Sequence, residues 1–291
     1  FCNYPLEELV PLVTWSYFFS AWGLPGRYPA LFDDPKRGEE ARRVFDDAQR
    51  LLSEIVDRRL LRADGVIGLY PAASDGDDIV LYADESRERE RMRLPQLRNQ
   101  QADRERNLSL ADFVAPLGSG VKDYVGAFAV TAGLGLEELA GRYRSEGDDY
   151  RAIMAKLLAD RLTEAFAEAL HRYVRVTLWG YEREGQWSVG DLLAEKYQGI
   201  RPAFGYPSAP DHSLKADVFA LMDVGTVTGM TMTESYMIVP GEAACGLMLG
   251  HPEARNFSVG RIDSEQLASY AARRGTDPEK MRVLIPQHLI E

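Results

Sequence analysis

The segment DDYRAIMAKLLADRLTEAFAEALHRYVRVTL, residues 148–178, decides the fold expected of this chain of 291 residues. Its apolar residues recur three or four positions apart, as they do on the buried face of a helix. The acidic residues at its start suit the positive end of a helix dipole. The segment therefore predicts one long central helix. The periodic residues are Tyr150, Ile153, Met154, Leu157, Leu158, Leu162, Phe166, Leu170, Tyr173 and Val174.

Weaker patterns on the N-terminal side of this helix predict a second helix and three short strands. Residues 35–61 repeat apolar side chains at helical spacing, and three runs are rich in β-forming residues. These runs are 65–70, 79–82 and 124–131. The sequence Ser74-Asp75-Gly76-Asp77 predicts a hairpin or another tight connection between the first two strands.

The C-terminal third predicts further short elements. Strands are expected around Thr231 and over 235–239 and 257–262, and short helices over 189–196 and after Ser264 and Asp277. Strands and helices do not alternate regularly along the chain. We therefore expect a mixed α+β domain rather than a doubly wound parallel fold.

One stretch, residues 84–106, is densely charged. It contains seven arginines among acids and glutamines. Runs of this kind are usually solvated faces or mobile connections, and that is the interpretation favoured here. The arginines are Arg87, Arg89, Arg91, Arg93, Arg98, Arg104 and Arg106.

Composition narrows the classes of partner. The chain has 34 Lys and Arg against 45 Asp and Glu, a net charge of −11, which disfavours nucleic acid and anionic membrane as partners. No apolar run is long enough for a spanning helix and no signal sequence is recognisable, so a cytoplasmic location is predicted. Cys2 and Cys245 are too few for a disulfide framework. The first residue is Phe1 rather than Met, which suggests a segment of a longer polypeptide. Whether the chain is such a fragment or a separate subunit is left open by the sequence.

Familiar catalytic motifs are missing from the sequence. The four histidines are scattered without HExxH spacing, no CxxC pair occurs, and a transition-metal site is not expected. Neither a GxSxG elbow nor a GxxxxGK[ST] loop is present, so the sequence disfavours a hydrolase or a kinase. Asp77 and Asp78 lie at the predicted turn, where acids are common for structural reasons alone.

The segment RPAFGYP, residues 201–207, is the best candidate for a binding loop. Two prolines and a glycine within seven residues predict a rigid, extended loop whose backbone polar groups are not used in a regular ladder. Arg201 offers a planar cation for a carboxylate, and Tyr206 offers an aromatic surface with a hydroxyl. The alternative is that Arg201 caps a neighbouring helix and Tyr206 belongs to the core. The residues alone do not decide between these two interpretations.

A family resemblance adds to this reading. The segment YQGIRPAFGYP, residues 197–207, with Asp211, His212 and Lys215 after it, resembles the signature of the activation domain of cobalamin-dependent methionine synthase, whose usual loop reads RPAPGYP. Matching segments follow in order along nearly the whole chain. They include FFxxW at 18–22, LADFVAP at 110–116, GAFAVT at 126–131, EAFAE at 164–168 and WGY at 179–181.

The resemblance implies a fold and a function. Residues 1–291 would form one C-shaped α+β domain around a twisted antiparallel sheet, which binds S-adenosylmethionine and docks over a cobalamin-binding domain. Flavodoxin or a flavoprotein reductase would supply one electron, and the methyl group of the ligand would convert inactive cob(II)alamin to methylcobalamin. No protein acid or base is needed for that transfer, which suits the missing motifs. The chain alone would not synthesise methionine, because it has no cobalamin motif and no substrate barrel.

The resemblance also assigns the site residue by residue. Arg201 would pair with the carboxylate of the ligand, the backbone of Ala203 and Gly205 would contact the ligand, and Tyr206 would lie near the cobalamin. Thr14 stands where the family has an aspartate for the ligand's amino group, and Asn256-Phe257 stands where it has a Tyr-Phe pair.

Two substitutions carry alternatives with them. Phe204 replaces the second proline of the family's loop, and Thr14 lacks the charge of the family's aspartate. Glu164 on the long helix could compensate for Thr14, or it is a solvated helix residue. These changes motivate a second hypothesis, a non-catalytic docking module that caps a cobalamin domain without binding the methyl donor.

Overall fold

The computed structural model describes residues 1–101 and 106–289. The strands of this part are β1 Arg62–Asp75, β2 Asp78–Tyr82, β3 Glu90–Pro95, β4 Asp123–Leu134, β5 Thr231–Met232, β6 Ile238–Val239 and β7 Ala243–Met248. The α-helices are α1 Leu6–Leu9, α2 Trp15–Ala21, α3 Gly38–Asp57, α4 Leu136–Ser145, α5 Asp149–Tyr173, α6 Val189–Leu193, α7 Leu214–Met222, α8 Val224–Thr228, α9 Ser264–Arg273 and α10 Pro278–Leu284. Short 3₁₀ helices cover Val10–Leu12, Ala30–Asp33, Leu110–Phe113 and Pro286–His288.

A central antiparallel sheet organises the molecule. Its five strands lie in the order β3-β2-β1-β4-β7, and β5 and β6 form a separate pair. The long strands β1 and β4 pair along most of their length, from Arg62 opposite Leu134 to Ala72 opposite Asp123. One apolar cluster lies between the sheet and helices α3 and α5, and a second includes residues of β2, β4, β7 and α7. The predicted α+β class, with an antiparallel sheet flanked by helices, is confirmed.

The long helix is the element that the sequence predicted best. Asp148 is its N-cap and accepts a hydrogen bond from the Arg151 amide at 2.9 Å. Helix α5 runs to Tyr173 and continues as one π-helical turn over Val174–Leu178, so the predicted range of 148–178 is covered. Its residues Leu158, Leu162 and Phe166 are fully buried.

Most of the other predicted elements are confirmed as well. Helix α3, the first hairpin, strand β4, helices α6, α9 and α10, and the small strands β5 and β6 lie within or close to the predicted ranges. The strand predicted over 257–262 is wrong, because within residues 1–101 and 106–289 this segment forms a single isolated bridge, from Ile262 to Leu289, besides a backbone hydrogen bond from the Val259 amide to the Pro207 carbonyl at 2.8 Å. Its apolar residues Val259 and Ile262 instead pack with α9 and α10.

The charged stretch is largely structured rather than a mobile connection. Strand β3 lies within it and pairs with β2, and residues 102–105 lie outside the described part of the chain. Arg93 forms ion pairs with Asp75 and Asp78, at 2.9 and 3.1 Å. Arg98 similarly holds Asp77 and Asp112. The two aspartates of the turn, Asp77 and Asp78, therefore have the structural role that the sequence favoured.

The RPAFGYP loop lies along strand β7. Ile200 and Leu249 exchange two backbone hydrogen bonds of 2.9 Å, the Phe204 amide donates to the Cys245 carbonyl at 2.9 Å, and the Leu247 amide donates to the Pro202 carbonyl at 3.0 Å. Within residues 201–207 only the Pro202 carbonyl and the Phe204 amide bond to β7, across an isolated bridge, so the expectation that most of the loop's backbone groups stay outside a regular ladder is confirmed. Ala203 lies opposite Gly246 of β7, but the hydrogen bonds are made by its neighbours, and among the described residues none engages the Ala203 amide.

None of the helices formed by residues 1–101 and 106–289 combines the length and the apolar character that are needed to cross a lipid bilayer. Within the same residues, no three His, Cys, Asp or Glu side chains group as ligands for a metal ion.

Candidate functional site

Two adjoining cavities open beside the RPAFGYP loop and together form one cleft. The first, of about 470 Å³, extends to Phe128, Ala203 and Phe257 and is called the apolar cavity here. The second, of about 520 Å³, extends to Thr14, Arg161 and Glu168 and is called the polar cavity. The residues shared by both are Glu164, Glu195, Arg201, Tyr206 and Asn256. An amphipathic ligand with one apolar and one charged end fits a cleft of this kind.

Six of the seven predicted site residues line this cleft. Arg201, Tyr206 and Asn256 lie where the cavities meet. The other three are Ala203 and Phe257 in the apolar cavity and Thr14 in the polar cavity.

Gly205 is the exception, because it lies beneath the cleft and lines neither cavity. Its amide donates to the Ala209 carbonyl at 2.8 Å. Its φ is +94°, and a Cβ at this position would lie 2.3 Å from Cε1 of His212. Glycine is therefore required here for the path of the loop and its packing on His212.

Arg201 is the central cation of the site. Its Nη1 donates to Oε2 of Glu168 and to the hydroxyl of Tyr197, and its side chain is 19% exposed. In the described part of the chain no hydrogen bond engages Nε or Nη2 of Arg201. Burial disfavours its charge, but the attraction of Glu168 and the other acids outweighs burial and raises the Arg201 pKa. The residue thus caps no helix, and one edge of its guanidinium is left for a ligand.

Tyr206 belongs to the cleft and not to the core, because 54% of it is exposed. Its hydroxyl donates to Oε1 of Glu164 at 3.3 Å. The negative charge of Glu164, together with partial burial, raises the pKa of Tyr206 to about 12. The hydroxyl therefore remains protonated at neutral pH and keeps its hydrogen bond to Glu164.

Carboxylates surround the polar end of the cleft. Glu164 and Glu168 come from helix α5, and Glu195 follows helix α6 with a left-handed φ of 51°. The amide of Asn256 donates to Oε2 of Glu195 at 3.4 Å. Glu164 was a candidate from the sequence, whereas Glu195 was not. The one hint in the sequence is that Glu195 lies two residues before the signature segment. The positive φ of Glu195, which orients it in the cleft, cannot be read from the sequence.

Thr14 contributes a hydroxyl that already has a partner. Arg161 donates from Nη1 to Oγ1 of Thr14 at 3.3 Å, and the same guanidinium pairs with Asp160 and lies over the ring of Tyr17. A second cation therefore stands where the resemblance implied an acidic partner for an ammonium group. Glu164 lines the same cavity as Thr14 and could supply the negative charge of the missing aspartate.

A buried ionic cluster lies directly behind Arg201, and none of its residues was predicted from the sequence. Glu168 is joined to Arg175 at 3.4 Å, and Arg175 is joined to Glu182 at 2.7 Å. Tyr197 donates to Glu168 at 2.8 Å. All these side chains are nearly inaccessible to solvent.

His171 lies against this cluster and should make the fold sensitive to acid. Burial, followed by the positive charges of Arg175 and Arg201, lowers its pKa well below the ordinary value of 6.5. Its Nδ1 has no hydrogen-bond partner, and its ring packs edge-on against Tyr197 at 5.2 Å. Below pH 6.5 the unfolded chain binds a proton at His171 that the folded chain resists, so stability falls as the pH falls.

We expect the wild-type protein to lose about 1.4 kcal/mol of unfolding free energy through His171 for each pH unit below its ordinary pKa. His171→Gln should lack this loss. Urea unfolding of both proteins at pH 7.5 and pH 5.5 measures it as the difference between their two changes. Equal acid sensitivity of the two proteins would contradict the assignment.

Comparison with known proteins gives two findings. The family model described as the activation domain of vitamin B12 dependent methionine synthase matches residues 5–275. A crystal structure described as the MetH reactivation domain bound to AdoHcy is similar to this chain, with a TM-score of 0.94 and 42% sequence identity. The alignment covers 98% of this chain and 88% of that chain. The likeness therefore extends over the sheet, the helices and the cleft together.

Proposed function

The chain belongs to the family of activation domains of vitamin B12 dependent methionine synthase, and on that premise we propose that it binds S-adenosylmethionine and supports reductive methylation of cob(II)alamin. The cobalamin is carried by a separate cobalamin-binding domain. In this proposal residues 1–291 act as one domain and include no site for methionine synthesis itself. The AdoHcy bound to the similar crystal structure, S-adenosylhomocysteine, is the product that methyl transfer would leave.

The observation that carries the proposal is the charge pattern of the cleft. The free Nε and Nη2 edge of Arg201 suits a bidentate carboxylate. Glu164 and Glu195 line both cavities and provide negative charge for an ammonium and a sulfonium group. The apolar cavity, with Phe257 and the Ala203 amide, suits the adenosine part of the ligand. S-adenosylmethionine has all of these groups in one molecule.

The residues of this chain bind and orient, and no proton transfer is assigned to them. Arg201 would hold the carboxylate, and the glutamates would attract the ammonium and the sulfonium, which together would fix the direction in which the methyl group points. Tyr206 is exposed at the mouth of the cleft, where a docked cobalamin domain would contact it. The cobalamin of that domain supplies the acceptor for the methyl group when it is bound.

The overall change balances with one electron. One electron from flavodoxin or a flavoprotein reductase, and the methyl group of the sulfonium, convert cob(II)alamin to methylcobalamin and release S-adenosylhomocysteine. We propose these redox proteins and the cobalamin-binding domain as the partners of the chain.

Isothermal titration of the chain with S-adenosylmethionine tests the ligand, with an expected dissociation constant below about 1 mM. A folded protein that binds no ligand at that concentration would overturn the claim. The second test adds a cobalamin-binding domain and a reductant and follows the cob(II)alamin absorbance. Methylation supports the proposal, whereas capture of the corrin without methylation would favour the docking module that binds no methyl donor.

A further inference from the structure

The buried cluster behind Arg201 contains one cation, Arg175, and two anions, Glu168 and Glu182. Glu168 lies on helix α5, and Arg175 lies in the π-helical turn Val174–Leu178 that continues this helix, with a fully buried side chain. Arg175 contacts Glu168 through Nη2 and Glu182 through Nε, and its guanidinium carbon lies 3.6 Å from the centre of the Tyr197 ring. Buried ion pairs contribute little to net stability, so their placement beside a binding cleft calls for another role.

The two oxygens of Glu168 have different partners. Oε1 faces Arg175, whereas Oε2 accepts from both Tyr197 and Arg201. Rotation of the carboxylate would break contacts on both sides at once. The Arg201 guanidinium is therefore held at Nη1 only, with its Nε and Nη2 edge directed away from the cluster.

We propose that Glu168 is a positioning residue, which fixes the Arg201 guanidinium so that its free edge meets the carboxylate of the ligand, and that Arg175 is the counter-charge that fixes Glu168. This inference rests on the proposed function. A guanidinium that is already ordered loses less conformational freedom when it binds the ligand. Glu168 thereby increases affinity through its hold on Arg201.

The alternative is that Glu168 serves only the fold, and Glu182 provides the matched control. Its side chain is as buried as that of Glu168 and pairs with the same Arg175, but it has no contact with Arg201. Glu182→Gln therefore reports the cost of disturbing the cluster, and Glu168→Gln reports that cost together with the loss of the Arg201 anchor.

The experiment compares two ligands on the full chain. S-adenosylhomocysteine carries an amino-acid group with no net charge, so that loss of one carboxylate changes its overall attraction little, and 5′-methylthioadenosine lacks that group entirely. Glu168→Gln should weaken S-adenosylhomocysteine about tenfold and leave methylthioadenosine within about twofold. Glu182→Gln should leave both within about twofold. Tighter binding of S-adenosylhomocysteine by Glu168→Gln would overturn the proposal, because Glu168 would then be a competitor for Arg201. The proposal would also be overturned if Glu168→Gln weakened both ligands equally. The same holds if Glu168→Gln and Glu182→Gln weakened S-adenosylhomocysteine equally.

A second variant and a ligand-free measurement keep the test decisive. Tyr197→Phe removes only the hydroxyl that bridges Glu168 and Arg201, and it should weaken S-adenosylhomocysteine about threefold without affecting methylthioadenosine. Nitrogen-15 relaxation of the Arg201 Nε–H group in the free protein should show an ordered side chain in the wild type and in Glu182→Gln, and a mobile one in Glu168→Gln. If the wild type binds neither ligand, the proposed function fails, and the relaxation data alone decide whether Glu168 holds Arg201.

Discussion

Gly246→Ala is expected to lower the free energy of unfolding by about 3 kcal/mol and to displace the RPAFGYP loop. A Cβ at this position of β7 would lie 2.1 Å from the Pro202 carbonyl oxygen and 2.7 Å from Cα of Ala203. Both atoms belong to backbone, so no side-chain rotation relieves the contact. The loop would have to move and break the hydrogen bonds from Phe204 to Cys245 and from Leu247 to Pro202.

Urea unfolding measures the first part of this prediction. Titration with S-adenosylhomocysteine measures the second, since displacement of the loop moves Arg201 and the Ala203 amide out of place. Gly241→Ala is the control, because a Cβ there has no neighbour within 4 Å. It should leave both quantities unchanged. A Gly246→Ala protein with wild-type stability and affinity would show that the loop is not held in contact with β7.

The elements that were predicted correctly have local causes. The long helix follows from apolar spacing and an acidic N-cap, and the hairpin follows from the turn residues around Gly76. Strand β7 was missed because AACGLM has no β-branched residue, and its strand conformation comes from pairing with β4 and with the loop. Strand β3 was missed because alternating arginines resemble a solvated segment until the fold brings Asp75 and Asp78 within ion-pair distance of Arg93.

The segment over 257–262 fails for the opposite reason. Its residues have β propensity, but among the described residues it pairs with none of the strands, and its apolar side chains are buried by helices instead. Propensity describes a preference of the residues, whereas a strand needs a partner.

The site divides in the same way. Arg201, Ala203 and Tyr206 could be assigned because the signature is contiguous, and the structure brings them together in the cleft. Glu168 and Arg175 could not, because their meeting with Arg201 depends on how helix α5 packs beside a loop that lies 33 residues further along the chain. In the sequence they are merely polar residues near the end of a long helix.

Arg201→Ala is expected to affect both affinity and stability. Surface arginines in loops usually contribute little to folding, but Arg201 is paired with Glu168, whose side chain is 4% exposed. Loss of one partner of a buried ion pair typically costs 3 to 5 kcal/mol, and Arg175 still compensates Glu168, so we expect a loss of about 2 to 3 kcal/mol in unfolding free energy. Loss of the bidentate carboxylate contact should reduce the affinity for S-adenosylhomocysteine by roughly 2 to 4 kcal/mol.

The double variant Arg201→Ala, Glu168→Gln separates these two effects. Removing the charge of Glu168 leaves no buried anion without its partner, so most of the lost stability should return, as denaturant unfolding would measure. The affinity should not return, because the ligand carboxylate still has no guanidinium to bind. Recovery of both quantities would mean that Arg201 acts on the ligand only through the fold. Recovery of neither would mean that the arginine stabilises the loop by contacts other than Glu168. Recovery of stability alone identifies Arg201 as the carboxylate-binding residue and Glu168 as its buried anchor.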